Sequence, residues 1–80
     1  MVRLKAEVAN WLRDEDLKDG IILMSAMPGD ASPARRVGSF RSDDVGIVIE
    51  ISGVAAGIFA RVITNGNDFG WIPTSVLTTR

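Results

Sequence analysis

The chain contains no cysteine, no histidine and no tyrosine. Without cysteine there are no disulfide staples and no thiolate metal ligands, and without histidine the commonest general base and metal ligand is missing. These absences remove the support for most enzyme classes and for a metal site. Neither sign of charge dominates either: 9 Lys and Arg against 10 Asp and Glu leave a net charge of −1, short of the basic footprint of a nucleic-acid binder. A length of 80 residues allows one domain, in which folding buries roughly 60–65% of the unfolded surface. That leaves little slack for a deep pocket, so no cofactor and no small-molecule substrate are expected. The N-terminus lacks a basic-flanked apolar core with a small-residue cleavage site, so no secretory signal is read and a cytosolic location is expected.

The longest apolar run, Val45 to Ala60, carries one strongly polar side chain, Glu50, and a G-x-x-x-G at Gly53 and Gly57. It is shorter than the about 20 residues of a membrane-spanning helix, and a carboxylate near its centre would cost roughly 2.5–3.5 kcal/mol. No membrane association is expected. With period two the run makes better sense, since Val45, Ile47, Ile49 and Ile51 alternate with Gly46, Val48, Glu50 and Ser52. The β-branched set is the expected core face of a strand. Ser52-Gly53 punctuates, residues 54–57 connect, and Ile58, Ala60 and Val62 resume the alternation as the second arm of a hairpin. Asn65-Gly66-Asn67-Asp68 follows, where Asn-Gly supplies the positive φ angles of a tight turn. Phe69 to Ile72 return as a strand, Pro73-Thr74-Ser75 break it for about one helical turn, and Val76-Leu77 begin a last short strand.

Upstream, Gly20 to Met24 is an apolar run suited to the first strand. Between it and Val45, the stretch from Met27 to Asp44 holds Pro28, Pro33 and many small polar residues and is predicted to be a long, irregular loop.

This order, one apolar strand, a long loop, three strands on short turns, a single helical turn and a terminal strand, resembles the SH3 barrel. The likeness is closest over Ala60 to Leu77, where Ala60-Arg61, the Asn-Gly turn and Gly70-Trp71-Ile72-Pro73-Thr74-Ser75-Val76-Leu77 are similar to the closing segment of that family. The resemblance implies a five-stranded barrel over residues 17–80, in which Gly70 lets its strand bend, Ile72 and Leu77 point inward and Pro73 starts the turn. The family's proline-peptide groove is not implied, because its tryptophan falls on Gly57 and its closing tyrosine on Val76. What remains looks like the divergent SH3-like barrels of bacterial and bacteriophage proteins, which serve as assembly or adaptor modules. A virion-structural or host-interaction role is the corresponding expectation, with a virion location if the chain is phage-encoded.

Residues 1–16 read as an amphipathic extension with two periodicities. Leu4, Val8, Trp11 and Leu12 form a helical stripe, whereas Val2, Leu4, Ala6 and Val8 alternate with charged residues as a strand does. Either form has an apolar face that lies on the barrel as a lid or pairs with another subunit.

Four clusters carry the remaining chemistry. Asp14-Glu15-Asp16 with Asp19-Gly20 places carboxylates at alternate positions, but the glycine comes one place late for a calcium loop and no closing Glu follows. Arg35, Arg36 and Arg41 surround Phe40 in the long loop, where forked guanidinium groups suit phosphate or an acidic partner, with Asp30, Asp43 and Asp44 near enough to neutralise them. Asp43 and Asp44 have no nucleophile beside them for acid–base work, so no catalytic residues are assigned. Phe69 and Trp71 share the face opposite Ile72, and outward aromatics are enriched at interfaces. The expected partner surface is therefore Phe69, Trp71 and Pro73 with Arg35, Arg36, Phe40 and Arg41, in a non-enzymatic module that meets a protein partner or a second copy of itself. The alternative is a nucleic-acid barrel of the Tudor or KOW type.

Overall fold

The N-terminal segment uses both of its periodicities, one after the other: Val2–Leu4 is strand β1 and Ala6–Asp14 is helix α1. These elements belong to a computed structural model that describes residues 1–29 and 33–79, so Asp30 lies outside the described residues. Strand β1 lies inside the sheet. Val2 and Arg3 pair with Gly46 and Val45 on one side, and Val2, Arg3 and Leu4 pair with Thr79, Thr78 and Leu77 on the other. Helix α1 buries Ala9 and Leu12 and packs Val8 against the core. Its end is a Schellman turn: Leu17 N–H donates to Leu12 C=O at 2.8 Å, Asp16 N–H donates to Arg13 C=O at 3.1 Å, and Asp16 takes φ 55°. In this motif a hydrophobic pair joins the residue after the turn to the last helical turn, here Leu17 and Leu12.

The remaining elements are β2 (Ile21–Met24), β3 (Arg36–Phe40), β4 (Val45–Val54), β5 (Gly57–Thr64), β6 (Phe69–Pro73), a 3-10 turn (Thr74–Val76) and β7 (Leu77–Thr79). All pairings are antiparallel, and the strands form one curled seven-stranded sheet in the order β3-β2-β6-β5-β4-β1-β7. The chain is mainly β with one α-helix among the described residues. The expected five strands become seven because β1 joins the sheet and because the stretch from Met27 to Asp44 is not wholly loop. Its second half is β3, held by pairing with β2 and by Asp68, whose carboxylate accepts from the Ser39 N–H at 3.0 Å.

A single bulge shifts the inward parity of β4 part-way along the strand. In β4, Val48 pairs with Val62 but Glu50 pairs with Arg61, so Ile49 is an extra residue opposite β5. An inserted residue reverses the inward and outward parity of everything after it. Before the bulge the inward side carries Gly46 and Val48, and Ile47 faces out at 59% exposure. After it, Ile51 shares the side of buried Ala60 but lies beyond the core, at 64% exposure. The isoleucines expected to line the core are on the surface: Ile47 on the outward face, Ile49 at the bulge, and Ile51 on the inward side past the end of the core. The interior is instead made by Leu4, Ala9, Leu12, Leu23, Phe40, Ala60, Val62, Ile72 and Leu77.

One turn detail also departs from the sequence reading. Positive φ falls on Asn67, at 66°, rather than on Asn65-Gly66. Thr64 organises this turn, its Oγ1 accepting from the N–H groups of Gly66 at 3.2 Å and Asp68 at 3.1 Å. The result is a type I turn closed by a left-handed residue, a standard route through a longer hairpin loop. Gly70 also permits a close approach, since a Cβ there would sit 2.9 Å from Leu23 Cβ and 3.0 Å from Val37 Cγ2. That proximity lets the β2–β3 hairpin fold across β6.

Candidate functional site

Alternation along β6 turns Gly70 and Ile72 into the core and Phe69, Trp71 and Pro73 to the other face. Register then sets their neighbours. Phe59 opposes Pro73, Arg61 opposes Trp71, and Ile63 opposes Phe69 across β5, while Met24 opposes Trp71 across β2. Trp71, Pro73, Phe59 and Met24 consequently form one apolar floor, extended by Ile22 two residues before Met24.

Helix α1 walls this floor. Trp11 is half exposed at 51% and, with Leu12 and Leu17, lines the same depression, whose far rim is Ala26, Pro28 and Ala34. The groove encloses about 650 Å³ and its lining is almost wholly apolar. The Schellman turn positions two of these side chains, because it brings Leu17 back onto Leu12. Asp14, Glu15, Asp16 and Asp19, all exposed, follow this wall in sequence, interleaved with Arg13 and Lys18, and Asp19 pairs with Arg36 at 3.6 Å. No group of three or more metal-ligating side chains converges among the described residues.

The two halves of the expected partner surface have different fates. Trp71 and Pro73 lie in the groove, whereas Phe69 sits outside it with the Arg61 guanidinium stacked over its ring at 4.3 Å. Phe40 is a correction: it is 0% exposed and belongs to the core. Its ring lies beneath Gly46, where a Cβ would approach Phe40 Cε2 to 3.0 Å. Nothing in the local sequence distinguished it from a loop aromatic, because the signal is the small residue across the sheet.

Two of the three loop arginines, Arg36 and Arg41, are tied to carboxylates within the chain. Arg36 reaches Asp19 at 3.6 Å and donates to Ser39 Oγ at 3.0 Å, and Arg41 reaches Asp68 at 3.4 Å and Asp44 at 3.8 Å. Asp43 pairs with Arg13 of the helix at 2.8 Å rather than with the loop arginines. Arg35 is exposed and donates through its backbone N–H to Ser25 Oγ at 3.1 Å. Exposed pairs of this kind contribute about 0–1 kcal/mol each, but they point the guanidinium groups at protein oxygens instead of a common anion site. Asp43 and Asp44, each held by a different arginine, do not form a carboxylate dyad.

Sequence reasoning did not place Trp11, Leu17, Ile22, Met24 or Phe59 at the site. The usable signal was Trp11 beside Leu12, since neighbours on a helix point about 100° apart and a large ring beside the inward Leu12 falls at the edge of the buried stripe. No helix among the described residues is long and apolar enough to cross a membrane. Comparison with protein-family models, with curated proteins and with solved structures finds no match to this chain.

Proposed function

We propose that this chain is a non-enzymatic, SH3-like protein-interaction module whose groove receives an apolar segment of a partner protein. The observation that carries this reading is the convergence of both tryptophans of the chain, Trp11 and Trp71, with Phe59 and Pro73 in one open apolar groove. Large, rigid aromatic side chains in a pre-formed depression are the usual anchors of protein interfaces. The likeness to an SH3 barrel draws support from β1 lying between β4 and β7, from the consecutive β4-β5-β6 antiparallel strands, and from the single 3-10 turn before the last strand. A nucleic-acid reading draws little support from Arg36 and Arg41, which are paired with carboxylates.

The experiment is a peptide selection with an intrinsic reporter. Peptides selected from a random display library on the purified protein are expected to be rich in apolar side chains and to shift tryptophan emission to the blue on binding, because both reporters sit in the groove. Trp71→Ala is expected to abolish the selection. Selected peptides that bind without altering the emission, or an oligonucleotide that binds in a salt-sensitive way, would overturn the reading.

A further inference from the structure

The β4–β5 hairpin runs past the core and ends in an unpaired edge. β1 covers β4 only at Val45 and Gly46, and among the described residues no strand lies along the outer side of residues 47–54. This edge is apolar, β-branched and lacks lysine and proline, the devices that normally blunt such edges. Its one charged residue, Glu50, already pairs with Arg61 at 3.7 Å. The bulge at Ile49 interrupts the ladder on one side, which confines a regular edge to residues 50–54.

We propose that two copies of this chain pair antiparallel along residues 50–54 of β4, about a two-fold axis at Ser52. Three observations select this occupant and this register. First, the turn at Ala55-Ala56 is closed by the Val54–Gly57 pair. In a two-residue hairpin that pair is hydrogen-bonded, and the antiparallel alternation then directs the N–H and C=O of Gly53 and Ile51 away from β5 toward the empty edge. Centring on Ser52 sets Ile51 of each copy opposite Gly53 of the other, which joins those outward groups. Second, this register opposes Glu50 to Val54 and keeps the two Glu50 carboxylates apart, whereas centring on Glu50 would set like charges face to face. Third, Gly53 has no positive φ and an added Cβ would meet nothing within 4 Å, so the hairpin alone does not require glycine there. Beside it, Ile58 is 57% exposed. Across the pair, Ile51 of the second copy lies over this flat position toward Ile58, covering two isoleucines per copy that the monomer leaves in water.

A contact of one short strand falls below the about 1,200 Å² of a standard interface, so the dimer is weak and transient. The chain's lack of cysteine makes Ser52→Cys a clean probe. Opposed residues at a non-hydrogen-bonded position have Cα atoms about 4.5 Å apart, within disulfide range. Mild oxidation with diamide is expected to cross-link Ser52→Cys at least tenfold faster than Glu7→Cys, an exposed control on the helix. Sedimentation is expected to give a concentration-dependent dimer that Ile51→Lys removes with its thermal unfolding unchanged, and that Trp71→Ala retains. A wild-type monomer up to about 1 mM, equal cross-linking of the two cysteine variants, a dimer that survives Ile51→Lys, or one lost in Trp71→Ala would each overturn the proposal. Because Trp71→Ala removes groove binding and not pairing, failure here is distinct from failure of the groove reading.

Discussion

The groove and the hairpin both hold apolar side chains in water, but they rest on different foundations. Beneath the groove lie Leu12, Leu23 and Ile72, all nearly or fully buried, so its floor is the outer skin of the core. Beyond Ala60 the hairpin has no such backing, and Ile51 and Ile58 are exposed on the side that faces the core elsewhere. The same residue class therefore serves two ends. An aromatic surface backed by a packed core is rigid and suited to recognising a foreign shape, whereas a projecting ribbon of β-branched residues offers backbone and is suited to pairing.

The difference predicts how stability responds to substitution. Leu12→Ala removes a side chain shared by the core and the groove wall and is expected to cost about 2–5 kcal/mol, measurable as a lowered denaturant midpoint with groove binding lost. Trp71→Ala, which is half buried, is expected to cost about 1–2 kcal/mol, below the range for full burial, with a folded spectrum retained. Asp16→Gly relieves a left-handed backbone that costs a non-glycine residue about 1–2 kcal/mol, and is expected to raise stability by part of that amount through the helix end that positions Leu17. At the small end, Ile47→Lys and Ile51→Lys are expected to change unfolding free energy by no more than about 0.5 kcal/mol, as for ordinary surface sites. A loss above about 2 kcal/mol on Ile51→Lys would mean that the hairpin has core backing after all and would erase the contrast.

Local features were read from sequence more securely than facing. The hairpin at Val45 to Val62 and the inward Ile72 follow from alternation and turn chemistry and are present, as is the single helical turn, which starts one residue later than expected, at Thr74, with Pro73 still paired in β6. The core face of β4 was misassigned because the run is apolar on both faces: ahead of the bulge Gly46 and Val48 turn inward instead of Val45 and Ile47, and beyond it Ile51 regains the inward side but projects past the core. Strand β3 was read as loop because Arg36-Val37-Gly38-Ser39-Phe40 has little strand character of its own. It is held by partners 29 residues away, as the Ser39–Asp68 bond illustrates. Half of the N-terminal ambiguity was real, since strand and helix both occur, separated at Lys5, whose N–H donates to Val76 C=O at 2.9 Å. The groove needed Trp11 from the helix to meet Trp71 from β6, a long-range encounter that no local pattern encodes.

The most direct measurement of the central claim follows the indole N–H resonances of uniformly 15N-labelled protein as a selected peptide is added. Only Trp11 and Trp71 contribute such signals, the chain having 2 tryptophans, and both are expected to move together at saturation while the amides of residues 50–56 stay in place. Shifts confined to those hairpin amides, with both indole signals unmoved, would contradict the account and transfer the recognition surface from the groove to the ribbon.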